Sequence, residues 1–514
     1  MNAEHTLEMP RSALEDQCGA PLECAKRRLP TVAAFVIAVA STIVLTLAGC
    51  ASTEGIASQA RPVEPAKVGI VDADLPVTPP IAADWWTAFG DPTLTALIER
   101  SLADNPNLKA AQARLARASA NVGVADAARR PQVNGSFDAA RQRFSENGLY
   151  PPPIAGSTQH TATLQASGSW DLDLFGRNRA VLDAAIGVER AAAADRDAAR
   201  VLLSSNVART YLQLARFLEQ REVALRSLAQ RDELLGLIRQ RVQAGIDTAV
   251  ELRQGEALLP ETRQQLEALD EQIVLARHAL AALSVQPPNA LDSLGPRFAT
   301  LTMVSLPDAL PADLLGRRAD ISAARWRIEA ATRDVDAARA QFYPNINLTA
   351  FVGLSSIGLD RLLRSGSEQY GAGPAIHLPI FDAGRLRANL RGKASDLDLA
   401  IENYNGTVVD AVRDVADQLG SLQSLERQRR EQSLAQTAAE LTYDLATQRY
   451  RAGLGTQLTV LNAEASVLTA RRLSADLRAR AYDTRVALIR ALGGGYVAPA
   501  TPALFAERTA LAQP

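Results

Sequence analysis

Cysteine, methionine, histidine and aromatic residues are all scarce in this sequence. Its three cysteines, Cys18, Cys24 and Cys50, all precede residue 51, so the remainder of the 514 residues holds no disulfide framework and no thiolate metal site. The four histidines, His5, His160, His278 and His377, are scattered without ligand spacing, which leaves no basis for expecting a metal. Methionines 1, 9 and 303 cannot form a thioether ladder. Aromatics make up 5% against 47% hydrophobic residues, so Ala, Leu and Val carry the apolar content, a mixture that favours long helices over a thick globular core. Neither sign of charge is in excess: the formal net charge is −2 and the pI about 6.2, which offers no basic field to a nucleic acid. Acidic residues are numerous, but a solvated helix face accounts for them. No nucleophile or carboxylate constellation stands out, so neither an enzyme nor a cofactor is expected. Gly493-Gly494-Gly495 follows a helix pattern rather than opening one, the place of a stop and not of a phosphate loop.

The N-terminus is rich in information. Lys26, Arg27 and Arg28 precede an uncharged stretch from Leu29 to Thr53, the charged and apolar regions of an export signal. The stretch contains Leu47-Ala48-Gly49-Cys50, which resembles the bacterial lipoprotein box and marks Cys50 as the lipidated first residue of the mature chain, carrying diacylglycerol and palmitate. A retained transmembrane helix is the competing reading, since the stretch is long enough to span a bilayer. The small residues just before Cys50 argue against it. Ala51 is not the aspartate that retains lipoproteins at the inner membrane, which points to the outer membrane.

The decisive pattern is internal repetition. RVQAGIDTAVELRQGEA from Arg241 matches RYRAGLGTQLTVLNAEA from Arg449, an offset of 449 − 241 = 208. The same offset aligns Gly176 with Gly384, whereas RRPQVNGSF and FYPNINLTA align through Pro131 and Pro344 at 344 − 131 = 213. The difference suits an indel between strands. Each unit reads as a strand, an exposed polar loop, a returning strand, a long helix, a glycine turn and a returning helix. The strand segments are Gln132 to Phe144 with Thr161 to Leu174, and Asn345 to Gly353 with Tyr370 to Phe381. DLFGR and FDAGR launch the long helices at Gly176 and Gly384, and Gly245 and Gly453 stop them. The second helix, Arg385 to Arg449, contains no proline and would extend roughly 95 Å. On it Val408, Val412, Val415, Leu419 and Leu422, and again Leu434, Ala438, Leu441 and Leu445, step by four and three as in a coiled-coil seam. The boundaries that follow are a signal at 1–49, a lipidated tether at 50–83, repeats at 84–289 and 317–498 joined by a linker at 290–316, and a tail at 499–514.

Strands of about ten residues are long enough to cross a bilayer when tilted. Four cannot close a barrel, and open edges are not tolerated in lipid, so several chains must share one. Three would give twelve strands. WWTAFGDPTLTALIERSLADNP from Trp85, RRADISAARWRIEAATRDVDAARAQFYPNI from Arg317, LPIFDAGR from Leu378 and RYRAGLGTQLTVLNAE from Arg449 resemble the outer-membrane efflux factors of the TolC and OprM type, most closely the lipoprotein branch called NodT. The resemblance implies an α+β membrane protein: a homotrimeric twelve-stranded outer-membrane barrel continued by a long periplasmic α-helical barrel, two repeats per chain. It also implies a passive exit duct for drugs or other small molecules, docked on a periplasmic membrane-fusion adaptor and an inner-membrane pump of the RND type. Matched residue by residue, the family's periplasmic gate falls on Tyr450 latched to Glu251. Its usual basic partner falls on Gly455 and its acidic ring on Thr459 and Asn462, with Asp247 as an alternative source of negative charge. A lipid-anchored periplasmic coiled-coil scaffold is the rival reading.

Overall fold

The computed structural model describes residues 53–69, 81–303 and 314–498; the signal, Cys50 and the C-terminal tail lie outside them. The first two α-helices are α1 (Pro92–Asp104) and α2 (Pro106–Ala127), each with proline in its first turn, where the missing N–H costs nothing. Asp91 caps α1 through the Thr93 amide at 2.8 Å, and Asn105 caps α2 through Asn107 at 2.9 Å. The hairpin β1 (Gln132–Arg143) and β2 (Thr158–Asp171) leads into α3 (Arg177–Gln243) and the returning α4 (Ala249–Leu283). The second unit repeats the order: α5 (Ala319–Ala340), β3 (Asn345–Ile357), β4 (Glu368–His377), α6 (Arg385–Arg451) and α7 (Gln457–Ala491).

The duplication is close in length. Helices α3 and α6 each have 67 residues and α4 and α7 each have 35, at the 208 offset. Helices α2 and α5, of 22 residues each, begin 319 − 106 = 213 apart, so the register changes within the strand hairpins. The 22-residue helix before each hairpin belongs to the repeat, although the apolar pattern singled out only the helices after it. Strand β3 also runs on to Ile357, absorbing Ser355 and Ser356 that read as loop, while β2 and β4 end before Leu174 and Phe381.

Alanine lets these helices approach closely. Ala180, Ala184, Ala191 and Ala194 of α3 are buried, and a Cβ on Gly187 would stand 3.0 Å from that of Ala330 on α5. Larger side chains gather where both units meet midway along the bundle. There Phe298 stacks on Tyr482 at 5.2 Å, beside Phe89, Trp85 and Trp86. Fully buried Leu94, Ile98, Leu214 and Leu280 surround them, each contributing about 2 kcal/mol on removal from water. The triple glycine ends α7 at this level, with φ of 103°, 56° and 79°. A Cβ on Gly493 would lie 1.8 Å from the Arg317 carbonyl oxygen and one on Gly495 2.3 Å from that of Ala82, so no other residue fits the crossing.

The tether is not free along its described part. Asp398 on α6 accepts from Ser58 Oγ at 2.6 Å and from the Gln59 and Ala60 amides at 2.8 and 3.0 Å. Asn405 accepts from the Val63 amide at 2.8 Å and donates to the Arg61 carbonyl at 3.0 Å. Ile56 is buried among Val335, Phe342, Leu386 and Leu390. Residues 53–69 thus run as a strap down α6, its N-terminal end toward the sheet.

Candidate functional site

Two features of the chain bear on passage of a solute: a two-faced sheet at one end and a locked pair of turns at the other. The four strands form one antiparallel sheet in the order β1-β2-β3-β4, which leaves β1 and β4 as open edges. Phe137 pairs with Leu164, Leu164 with Leu354, and Trp170 with Leu348, while Val352 pairs with Tyr370 and Ile346 with Ile376. Because paired residues share a face, all of these, with Val133, form one continuous apolar surface. The opposite face carries Asn134, Ser136, Asp138, Thr163, Gln165, Ser167, Asn347, Thr349, Ser355 and Gln369. Cross-strand polar contacts knit it, Gln369 Nε2 donating to Gln165 Oε1 at 3.1 Å. Such a sheet suits lipid outside and water inside. Among the described residues no helix is long and apolar enough to cross a membrane.

At the far tip, both long helices end alike. The Gly245 amide bonds the Val242 carbonyl and the Ile246 amide that of Arg241; Gly453 and Leu454 repeat this with Tyr450 and Arg449. Both glycines are left-handed, φ 70° and 75°, as the Schellman stop requires. Between the turns lies a cross-repeat lock. Arg241 donates Nε and Nη2 to the two carboxylate oxygens of Asp247 at 2.9 and 3.1 Å, and Nη1 to the Tyr450 carbonyl at 3.1 Å. The Tyr450 hydroxyl donates to Asp247, and the guanidinium stands 4.4 Å from the centre of the Tyr450 ring. Tyr450 is fully buried, packed on Ile238, Ala446 and Val460, and the Arg241 and Asp247 side chains are 12% and 11% exposed. Arg241 hydrogen bonding, supported by Tyr450, holds the Asp247 carboxyl below its usual range against the opposing effect of burial. Burial, then the bond to Asp247, pushes the Tyr450 phenol above its own.

A second link lies deeper. Arg231 on α3 reaches Glu464 on α7 at 2.8 Å and also Thr262 and the Leu258 carbonyl on α4, with side-chain exposures of 10% and 3% for the charged pair.

Comparison with known proteins identifies the architecture. The model of the outer membrane efflux protein family matches residues 97–284 and 310–494. A multidrug resistance outer membrane protein of Escherichia coli O157:H7, MdtQ, is 34% identical over 486 residues, covering 91% of this chain and 98% of that protein. The fusaric acid resistance protein FusA of Burkholderia cepacia is 38% identical over 368 residues, 70% of this chain and 68% of that one. Among solved structures, the outer membrane protein VceC of Vibrio cholerae superposes with a TM-score of 0.77 at 36% identity, covering 81% of this chain and 99% of that one. The chain belongs to the outer membrane efflux protein family.

Within this outer-membrane efflux channel protein, the expected gate residues fall differently from the family pattern. Tyr450 is central, but its partner is Asp247 and not Glu251. One oxygen of the Glu251 carboxylate accepts from the Thr248 amide and hydroxyl in a capping box, which stabilises the first turn of α4, and the Glu251 backbone carbonyl crosses to the other repeat, accepting from Gln457 at 3.1 Å. The basic group absent at Gly455 is supplied from the first repeat by Arg241. Thr459 lies in the cap of α7 beside Thr456, and Asn462 is exposed one turn further on. Sequence reasoning overlooked Arg241, although an arginine and an aspartate six apart across a glycine stop face each other when the chain reverses. It also missed Arg231 and Glu464, whose sequence separation carries no signal.

Proposed function

We propose that three copies of this chain form a passive exit duct, the outer-membrane component of a tripartite efflux system for drugs or other small molecules. The observation that carries this reading is a sheet with one apolar face and two open edges, continuous with 67-residue helices that end in a cross-locked tip. Open edges cannot face lipid, so β1 of one copy pairs with β4 of the next, and twelve strands close the barrel. The water-facing interior is the polar face. At the tip, Ile246, Val250, Leu454 and Leu458 are exposed and equivalent under the 208 offset, a ring of apolar contacts suited to a periplasmic membrane-fusion adaptor that couples the duct to an RND-type inner-membrane pump. The Arg241–Asp247–Tyr450 lock is the gate: adaptor contact favours a helix packing in which it is released. Thr459 and Asn462 make a neutral rather than acidic lining beside it. The N-terminal end of the strap, with Ile56 buried near the start of α6, is directed toward the sheet, which supports a lipidated Cys50 as the anchor on the membrane side.

The test uses Leu149→Cys, a position 93% exposed in the β1–β2 loop. The other cysteines leave with the signal or are lipidated, so an impermeant maleimide on intact cells labels this thiol alone. Labelling together with drug sensitivity of a deletion strain, restored by the variant, is expected. A protein that restores resistance without surface labelling would overturn the barrel.

A further inference from the structure

The apolar face of the hairpin ends abruptly in basic side chains. Along β1 the outward series is Val133, Gly135, Phe137 and Ala139, then Arg141 and Arg143; along β2 it is Trp170, Gly168, Ala166, Leu164 and Ala162, then His160. The register is unbroken, Arg141 directly opposite His160 and Arg143 opposite Thr158, so the three basic side chains share the lipid-facing side. They lie at the end of the sheet remote from the helices, where the apolar band gives way to the outer headgroup layer. All three are exposed.

Among the described residues only one carboxylate approaches them. Arg141 and His160 have no side-chain partner among the described residues, and Arg143 reaches only Glu146 at 3.4 Å, with both side chains more than two-thirds exposed. Arg141 and Arg143, two positions apart on one strand, bring two guanidinium groups to the same face, which an anion would join. Asp138 points to the other face. Glu368 on β4 shares the outward face but lies level with Phe137, and its carboxylate accepts from the Gly366 amide at 2.8 Å. Below the row Ala162 is covered, and Phe137 and Leu164 beyond it are exposed, a surface that suits acyl chains. A ligand here therefore needs a phosphate-like head over a hydrocarbon body, and guanidinium forks suit phosphate oxygens.

We propose that Arg141, Arg143 and His160 form a binding site for a phosphorylated lipid of the outer leaflet, one on each chain of the barrel. The inference rests on the membrane-spanning reading above, and the Leu149→Cys labelling tests that reading separately. The experiment is native mass spectrometry of the purified full-length trimer with bisphosphorylated lipid A, dephosphorylated lipid A or inorganic phosphate added. The wild type is expected to retain the phosphorylated lipid about tenfold better than the dephosphorylated one. The triple variant Arg141→Gln, Arg143→Gln, His160→Gln is expected to lose that preference while remaining a trimer that labels at residue 149. Equal retention by wild type and variant would overturn the site, as would millimolar inorganic phosphate displacing the lipid. Dissociation of the triple variant into single chains, reproduced by Glu368→Gln, would also overturn it, because the row would then be a contact with the neighbouring copy's β4.

Discussion

The two 67-residue helices match in length and in their final turn, yet they are buried very differently. Helix α3 buries residues along its whole course, from Ala180 to Ile238, because α2, α4, α5 and α7 all pack on it. Helix α6 buries none between Leu425 and Ala446, the stretch where Leu434, Ala438, Leu441 and Leu445 form the second coiled-coil seam. Those three leucines are 63%, 59% and 60% exposed. The first long helix is therefore packed within the chain along its whole course, whereas the stretch of the second between Leu425 and Ala446 keeps an exposed leucine row available to a neighbour. The strongest way to break this comparison is Leu434→Glu with Leu441→Glu. Each buried leucine contributes about 2 kcal/mol to an interface, and a charge in its place adds a desolvation cost, so loss of the trimer is expected. Heat-modifiable migration and light scattering read the outcome. A trimer unchanged in stability would mean that the seam faces water.

The turns differ as the helices do. The first carries Arg241 and Asp247; at the same offset the second carries Arg449 and Gly455, and Arg449 finds only the Leu454 carbonyl at 3.3 Å. All the charge in the tip lock except the Tyr450 dipole thus comes from the first repeat. Asp247→Ala leaves the Arg241 guanidinium without its carboxylate in a mostly buried site, at a cost of about 2 kcal/mol to the closed form. That corresponds to roughly a thirtyfold rise in the open-to-closed ratio, visible as increased conductance in planar bilayers. Tyr450→Phe, which removes one bond and keeps the ring under the guanidinium, should give a smaller rise. The pH dependence follows from the depressed Asp247 carboxyl. Its contribution is complete above the ordinary carboxylate range and is lost as pH falls through the lowered native value, so conductance should be flat from about pH 5 to 8 and rise only below about pH 4. A rise centred near neutrality would exclude Asp247 as the controlling group.

Much of this was legible in the sequence because repetition fixes positions that chemistry alone leaves ambiguous. Gly176, Gly245, Gly384 and Gly453 are conformationally required, and their spacing carried the strand, helix and turn order through both units. The contacts between the two turns were only half legible. The resemblance set Tyr450 against Glu251, whereas in the structure the Tyr450 hydroxyl meets Asp247, since capping residues and lock residues are both acidic and lie near the same turn. Geometry separates them: Glu251 turns one carboxylate oxygen back onto Thr248 in the capping box, while Asp247 faces across to Tyr450. The strap was missed for a different reason. Its contacts are made mainly by backbone groups, one serine hydroxyl and a buried isoleucine, which leave no apolar period in a segment rich in proline and alanine.

That strap offers the third test. Asp398→Ala removes three acceptor contacts and so should loosen residues 58–60 from α6, while Ile56 and the Asn405 bonds hold either side. Faster hydrogen exchange and protease cutting confined to that segment are expected, with conductance unchanged. Exchange that rises equally across α6 would mean the strap is part of the bundle's core and not a surface fixture.

The smallest effect sharpens the comparison of the two turns most. Gly455→Asp restores to the second repeat the carboxylate that the first possesses, opposite Arg449 as Asp247 is opposite Arg241. Residue 455 does not adopt a left-handed φ, and a Cβ there would meet only ordinary contacts, the nearest being the Tyr450 amide nitrogen at 3.4 Å. Because Arg449 is exposed, the new pair should contribute only a few tenths of a kcal/mol. The expected outcome is a slightly lower open probability that vanishes in high salt, where exposed pairs are screened. If Gly455→Asp instead restores closure to the Asp247→Ala protein, the turns are interchangeable. The asymmetry would then belong to sequence drift between the repeats and not to the way the tip closes.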